Sequence, residues 1–167
     1  MKLSDTAIAM LKHFEGLKLE PYYCSAGVLT VGYGHTGPDV HEGVSITEEQ
    51  AEALLRQDME TFEHAVLRKT KGLELTQNEF DALVVLTYNI GEGNFGESSV
   101  LRHLKAGDLN ACADSFMKWV KARQNGELVP LKGLYARRGA ERAHFLGDDW
   151  LAGSEAGKAQ YEADCKG

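Results

Sequence analysis

Apolar residues follow two different periods along this chain. Near the start, Ile8, Leu11 and Glu15 stand at i, i+3 and i+7, a helical stripe that predicts a helix over Asp5 to Glu15 with Ser4 or Asp5 as its cap. Gly16 follows at once and predicts a left-handed turn at the helix end. From Tyr22 to His35 the pattern changes. The stretch is rich in Gly, Tyr, Val and Thr, with "SAG" as a turn and "VLTVGYG" as a strand, so a small antiparallel sheet is predicted. Gly32 and Gly34 would let another chain approach the backbone closely.

Helical spacing then returns. "TEEQ" at Thr47 to Gln50 is a capping box, and behind it Ala51, Leu54, Leu55, Met59, Phe62 and Val66 keep one face apolar through a long helix. A second box, "TQNE" from Thr76, opens a helix carrying Phe80, Leu83, Val84 and Leu86 until "NIGEGNFG" breaks it. Further helices are predicted near Ser98 to Lys105, Asp108 to Trp119 and Leu134 to Phe145, with "RQNGEL" as an Asn-Gly hairpin turn before the last. The residues after Trp150 are small and polar and read as a peripheral tail. The pattern is α+β within one domain, residues 1–167. A helix-plus-antiparallel-sheet lobe spans about 14–46, a connecting helix about 48–70, a mainly helical lobe about 76–146 and the tail 150–167. A cleft between the lobes is the expected place for a ligand.

Composition narrows the class. Apolar residues make up 43% and charged residues 26%, average globular usage that argues against disorder and against a membrane span. The start lacks an unbroken apolar run and a small-residue cleavage site, so no export signal is read and a cytoplasmic site of synthesis is expected. Cys24, Cys112 and Cys165 are odd in number and form no paired motif, which argues against a disulfide framework or a zinc site; no metal is expected. A net charge of −7 disfavours nucleic acid as a partner. Its distribution is uneven. Between Met117 and Phe145, Lys118, Lys121, Arg123, Lys132, Arg137, Arg138 and Arg142 stand against only Glu127 and Glu141, which reads either as a solvated face or as a surface for an anionic polymer.

Three residues in the first sheet region carry candidate chemistry. Glu15 ends a helix, near the negative end of its dipole, and shares a stripe with apolar residues; both effects favour the protonated form. It is therefore a candidate general acid, able for example to protonate the leaving oxygen of a glycosidic bond. From the period alone a buried glutamate neutralised by an arginine is the more ordinary reading. Cys24 reads as a small buried hydrophobe, or as a nucleophile with His35 and Asp39, though no familiar motif surrounds them. Thr30 alone reads as a β-branched strand residue.

Spacing adds a further reading. "E-G-L-x-L-x-x-Y", then Cys24, Thr30 and "GYGH", resembles the phage-type lysozymes, the endolysins of glycoside hydrolase family 24, whose signature is Glu, eight residues, Asp or Cys, five residues, Thr. The likeness extends to "FDALVVLTYNIGEGNF" and "GLYARRGAERAHFL" and covers most of residues 5 to 146 in the same order. It implies a lysozyme-like fold and a muramidase that cleaves the β-1,4 bond between N-acetylmuramic acid and N-acetylglucosamine of peptidoglycan, with inversion and without a cofactor. Glu15 would be the general acid, Thr30 would position the attacking water and Cys24 would assist on the opposite side of the sugar. His35 matches a structural histidine. Thr36, Tyr88 and Ser98, or Ser99 in its stead, match cleft-lining positions, and Arg137, or Arg138, matches the arginine that pairs with the catalytic glutamate.

The departure is Cys24, where Asp is the more usual residue. An ordinary thiol is mostly neutral at pH 7 and a poor base. The rival readings are a lytic transglycosylase, which needs no hydrolytic water, and a peptidoglycan-binding protein whose catalysis has lapsed. A monomer with no export signal would wait in the host cytoplasm for a permeabilising partner of the holin type before reaching the periplasm and cell wall.

Overall fold

The computed structural model describes residues 1–165. The fold is α+β, with an antiparallel three-stranded sheet near the N-terminus, a long helix and a mainly helical remainder. By internal contacts it divides into two units, one of Ile8–Thr61 and one of residues 1–7 together with the chain from Phe62 onward.

In the first unit, α1 (Asp5–Glu15) buries Ile8 and Leu11 as its period predicts. Gly16 ends it at φ 74°, its N–H donating to the Lys12 carbonyl at 3.2 Å. The sheet begins earlier than the composition suggested. β1 (Lys18–Tyr23) is an exposed edge strand, which is why it can hold Pro21 and lacks an apolar alternation to announce it. β2 (Leu29–Gly32) lies at the centre and β3 (His35–Thr36) on the other side, both pairings antiparallel. Gly32 sits at φ 70°, and a Cβ there would lie 3.4 Å from both Ala51 and Ile46, so the segment that approaches it is the chain's own next helix. That helix, α2 (Glu48–Lys69), starts at the expected box: Thr47 Oγ1 accepts from Gln50 N at 3.1 Å and Gln50 Oε1 accepts from Thr47 N at 2.9 Å.

The second unit is built around α3 (Gln77–Ile90), buried on every side from Glu79 to Thr87 and opened by the Thr76–Glu79 box. The break at "GEGNFGE" holds a short helix of its own, α4 (Glu92–Glu97), followed by α5 (Ser99–Lys105), α6 (Leu109–Ser115) and a 3-10 turn at Phe116–Lys118. β4 (Lys121–Gln124) and β5 (Glu127–Pro130) form the Asn-Gly hairpin, with Asn125 at φ 51° and Gly126 at φ 83°. α7 (Lys132–Phe145) then packs on α3. The stretch expected to be a peripheral tail is instead α8 (Trp150–Cys165), the element most extensively packed on α7. It carries no apolar stripe because backbone meets backbone there: a Cβ at Gly157 would stand 2.1 Å from the Tyr135 carbonyl oxygen. A pattern of hydrophobic side chains cannot report such a contact.

The basic run of 117–145 is not one surface. Arg137 and Arg138 are buried, Arg142 pairs with Asp114 at 2.6 Å and Lys132 with Glu162 at 2.7 Å, leaving Lys118, Lys121 and Arg123 exposed around β4.

Candidate active site

Glu15 is the last residue of α1 and half-buried. Gly16 and Leu17 lead from it into β1, where Lys18 pairs with Gly32 of β2, two residues beyond Thr30. The register thus brings the exit of α1 alongside the strand that carries Thr30.

Cys24 and Thr30 meet through one carbonyl. The Val28 oxygen accepts from the Cys24 backbone N–H at 3.0 Å and from the Thr30 hydroxyl at 2.8 Å, while the Cys24 carbonyl accepts from Gly27 N–H at 2.8 Å. This tight turn places the half-buried Cys24 beside a Thr30 that is only 4% exposed. It also corrects the expectation of an ordinary thiol. The backbone N–H groups of Val28 and then Ala26 stabilise the thiolate and hold the Cys24 pKa below the usual thiol value. A thiol so placed ionises more readily than an ordinary one. Thr36 lies directly across β2 from Thr30 and is exposed.

His35 is not available to activate Cys24. It is 8% exposed, with Nδ1 2.8 Å from Asp58 and Nε2 2.9 Å from Asp39, so a carboxylate engages each ring nitrogen. Burial alone would lower its pKa, but the hydrogen bonds to Asp39 and Asp58, aided by their charges, outweigh that and raise it. With a carboxylate at each ring nitrogen, His35 ties the segment after β3 to α2. The cysteine-hydrolase arrangement loses its base. Asp58 was not singled out from the sequence, its partner His35 lying in the sheet 23 residues earlier.

The clamp has a pH window. With its folded pKa raised, His35 stabilises fully below the ordinary histidine value and loses that contribution as pH rises through the raised value. Asp39, whose pKa His35 holds down, contributes above the ordinary carboxylate range and loses it as pH falls. The stability gap between the parent and His35→Gln, read by urea unfolding, should narrow from neutral to alkaline pH. A gap that stays constant over that range would contradict the clamp.

In the second unit, Tyr88 is half-buried on α3, packed edge-on against Phe62 at 5.2 Å, with the Arg137 guanidinium 6.0 Å from its ring centre. Arg137 is 5% exposed, its Nε 3.4 Å from Glu141. Arg138 is fully buried and committed: it donates to both Glu141 oxygens at 2.6 and 2.7 Å, to the Trp119 carbonyl at 2.8 Å and to Asn89. Ser98 is buried and its hydroxyl caps α5, accepting from Leu101 N at 3.2 Å and donating to the Phe95 carbonyl at 2.7 Å, whereas Ser99 is half-buried. A fully buried aspartate, Asp81, escaped the sequence reading. It accepts from Ser4 Oγ at 2.5 Å, Gln77 Nε2 at 2.8 Å and His144 Nε2 at 2.8 Å, joining the first helix to α3 and α7.

Among the described residues no group of three or more His, Cys, Asp or Glu side chains could hold a metal ion, and no helix is long and apolar enough to cross a membrane.

An acid at a helix end, followed by a cysteine backbone N–H and a threonine hydroxyl that donate to one carbonyl, can be set against known proteins. An endolysin of Acyrthosiphon pisum secondary endosymbiont phage 1 is 44% identical over 145 residues, which is 87% of this chain and 98% of that protein. The solved endolysin of Escherichia coli O157:H7 phage FAHEc1 superposes with a TM-score of 0.81 at 42% identity, over 87% of this chain and 94% of that one. The muramidase domain of SpmX from Asticaccaulis excentricus gives 0.80 at 39% identity, over 87% and 97%. Residues 12–141, which hold Glu15, Cys24, Thr30 and Arg137, match the phage lysozyme family, and with that the chain belongs to it, among the glycoside hydrolases.

Proposed function

We propose that this chain is an endolysin whose residues 1–167 work as one lysozyme-like domain, a muramidase that hydrolyses the β-1,4 bond between N-acetylmuramic acid and N-acetylglucosamine in peptidoglycan and so lyses the host. The observation that carries this reading is the joining of Cys24 and Thr30 at the Val28 carbonyl, at the family's spacing from Glu15. Relatives named endolysins and a neighbour named a muramidase domain support it.

In this mechanism Glu15 gives its proton to the glycosidic oxygen as the bond to the anomeric carbon breaks. A water held by Thr30 attacks that carbon from the opposite face, which inverts it, and the water's proton passes to the Cys24 thiolate. Acid, base and water complete the reaction, so no cofactor is required. Thr36, Tyr88 and Arg137 contact the sugars, with Ser99 rather than the capping Ser98 as the serine offered to them. The enzyme acts as a monomer and waits in the host cytoplasm until a holin-type partner admits it to the wall.

The role of Cys24 has a direct test. If the side chain places water with Thr30, Cys24→Ser keeps appreciable lysis of permeabilised Gram-negative cells, Cys24→Asp matches or exceeds the parent by supplying a carboxylate base, and Thr30→Val is impaired through loss of its hydroxyl. A well-folded but inactive Cys24→Ser enzyme would overturn this assignment in favour of a nucleophilic thiol.

A further inference from the structure

Helix α8 begins nine residues beyond the last position matched by the family, Phe145 included in the gap, and it is bound to α7 by unusual means. Three glycines make the crossing. A Cβ on Gly139 would stand 2.2 Å from the Gly153 carbonyl oxygen, one on Gly153 2.4 Å from the Gly139 carbonyl oxygen, and one on Gly157 2.1 Å from the Tyr135 carbonyl oxygen. Such approach fixes the register of one helix on the other to within a fraction of a turn, because any slide drives a side chain into a backbone. Side chains lock the same place. The Tyr135 hydroxyl donates to Asp164 at 3.0 Å, its ring meets Tyr161 edge-on at 5.5 Å, and Lys132 pairs with Glu162 at 2.7 Å.

The helix held this way carries Arg137. Tyr135, Gly139 and Ala143 form the stripe of α7 that faces α8, and on helical spacing Arg137 and Glu141 lie on the far side, towards Tyr88 of α3. We propose that α8 is a positioning element for the reaction, setting the rotation and height of α7 so that Arg137 stands beside Tyr88. Gly153, Gly157 and Tyr135 are its positioning residues. The inference rests on the reading of Arg137 as part of the sugar-handling machinery.

The test is a double-mutant cycle on turnover of soluble peptidoglycan fragments, measured per folded molecule well below the thermal midpoint. Gly157→Ala should lower kcat by on the order of tenfold, as a shift of part of an ångström in a catalytic side chain does. Tyr135→Phe, which keeps the ring and loses only the bond to Asp164, should act in the same direction by a smaller factor, and it carries the test if Gly157→Ala fails to fold. Each substitution is then repeated on Arg137→Gln. If α8 works through Arg137, its effect on kcat disappears in that background. Persistence of the same fold-loss there, or unchanged kcat with only a lower midpoint, would make α8 a stability element and overturn the proposal. An Arg137→Gln enzyme as active as the parent would instead overturn the reading of Arg137 itself, and the proposal with it.

Discussion

Glu15→Gln should abolish lysis, lowering turnover by about 10²–10⁴-fold, the usual contribution of a positioned general acid. The amide keeps the shape of the carboxylic acid at the end of α1 and cannot give a proton to the leaving oxygen. Its thermal midpoint should be unchanged or raised, since sites built for chemistry are often stabilised by removing their charge. Turbidity clearing and a thermal melt on one preparation check both halves. More than a trace of activity would remove Glu15 from the mechanism.

The second large effect concerns stability. Arg138 and Glu141 are both fully buried, and Arg138 supplies donors to Glu141, the Trp119 carbonyl and Asn89. Arg138→Met leaves Glu141 as a buried charge short of its main partner and should cost about 3–5 kcal/mol. Adding Glu141→Leu should restore part of that loss, because the pair's desolvation goes with it; the Trp119 carbonyl remains short of a donor. Chemical denaturation of the single and double variants measures this. A double variant no more stable than the single would show that the carboxylate was not the source of the cost.

These two residues mark the boundary of what the sequence disclosed. Both capping boxes, the stripe of α1 and the Asn-Gly hairpin were legible because each rests on local chemistry: a side chain meeting its own backbone, or a period along one helix; the grouping of Glu15, Cys24 and Thr30 came from the resemblance to a family signature and not from local chemistry. Arg138 was read as part of a basic surface, since charge counts do not show which side chains turn inward. Asp58 and Asp81 act through partners distant in the chain, so their importance had no local sign. α8 was missed for a related reason, its packing being made by glycine backbones and leaving no hydrophobic stripe. At Cys24 the residue type suggested an ordinary thiol, and only the fold of the turn, with the Val28 and Ala26 N–H groups around the sulfur, shows that its pKa is held down.

The central claim is that water cleaves the glycosidic bond of peptidoglycan at this site. Digestion of purified sacculi, with the released fragments separated and weighed by mass spectrometry, tests it directly. The account predicts fragments ending in reducing N-acetylmuramic acid, each heavier than its anhydro form by one water, and none from the Glu15→Gln enzyme. Fragments ending in 1,6-anhydro sugars would make the chain a lytic transglycosylase, and intact sacculi with bound protein would make it a lapsed enzyme; either result would contradict the account.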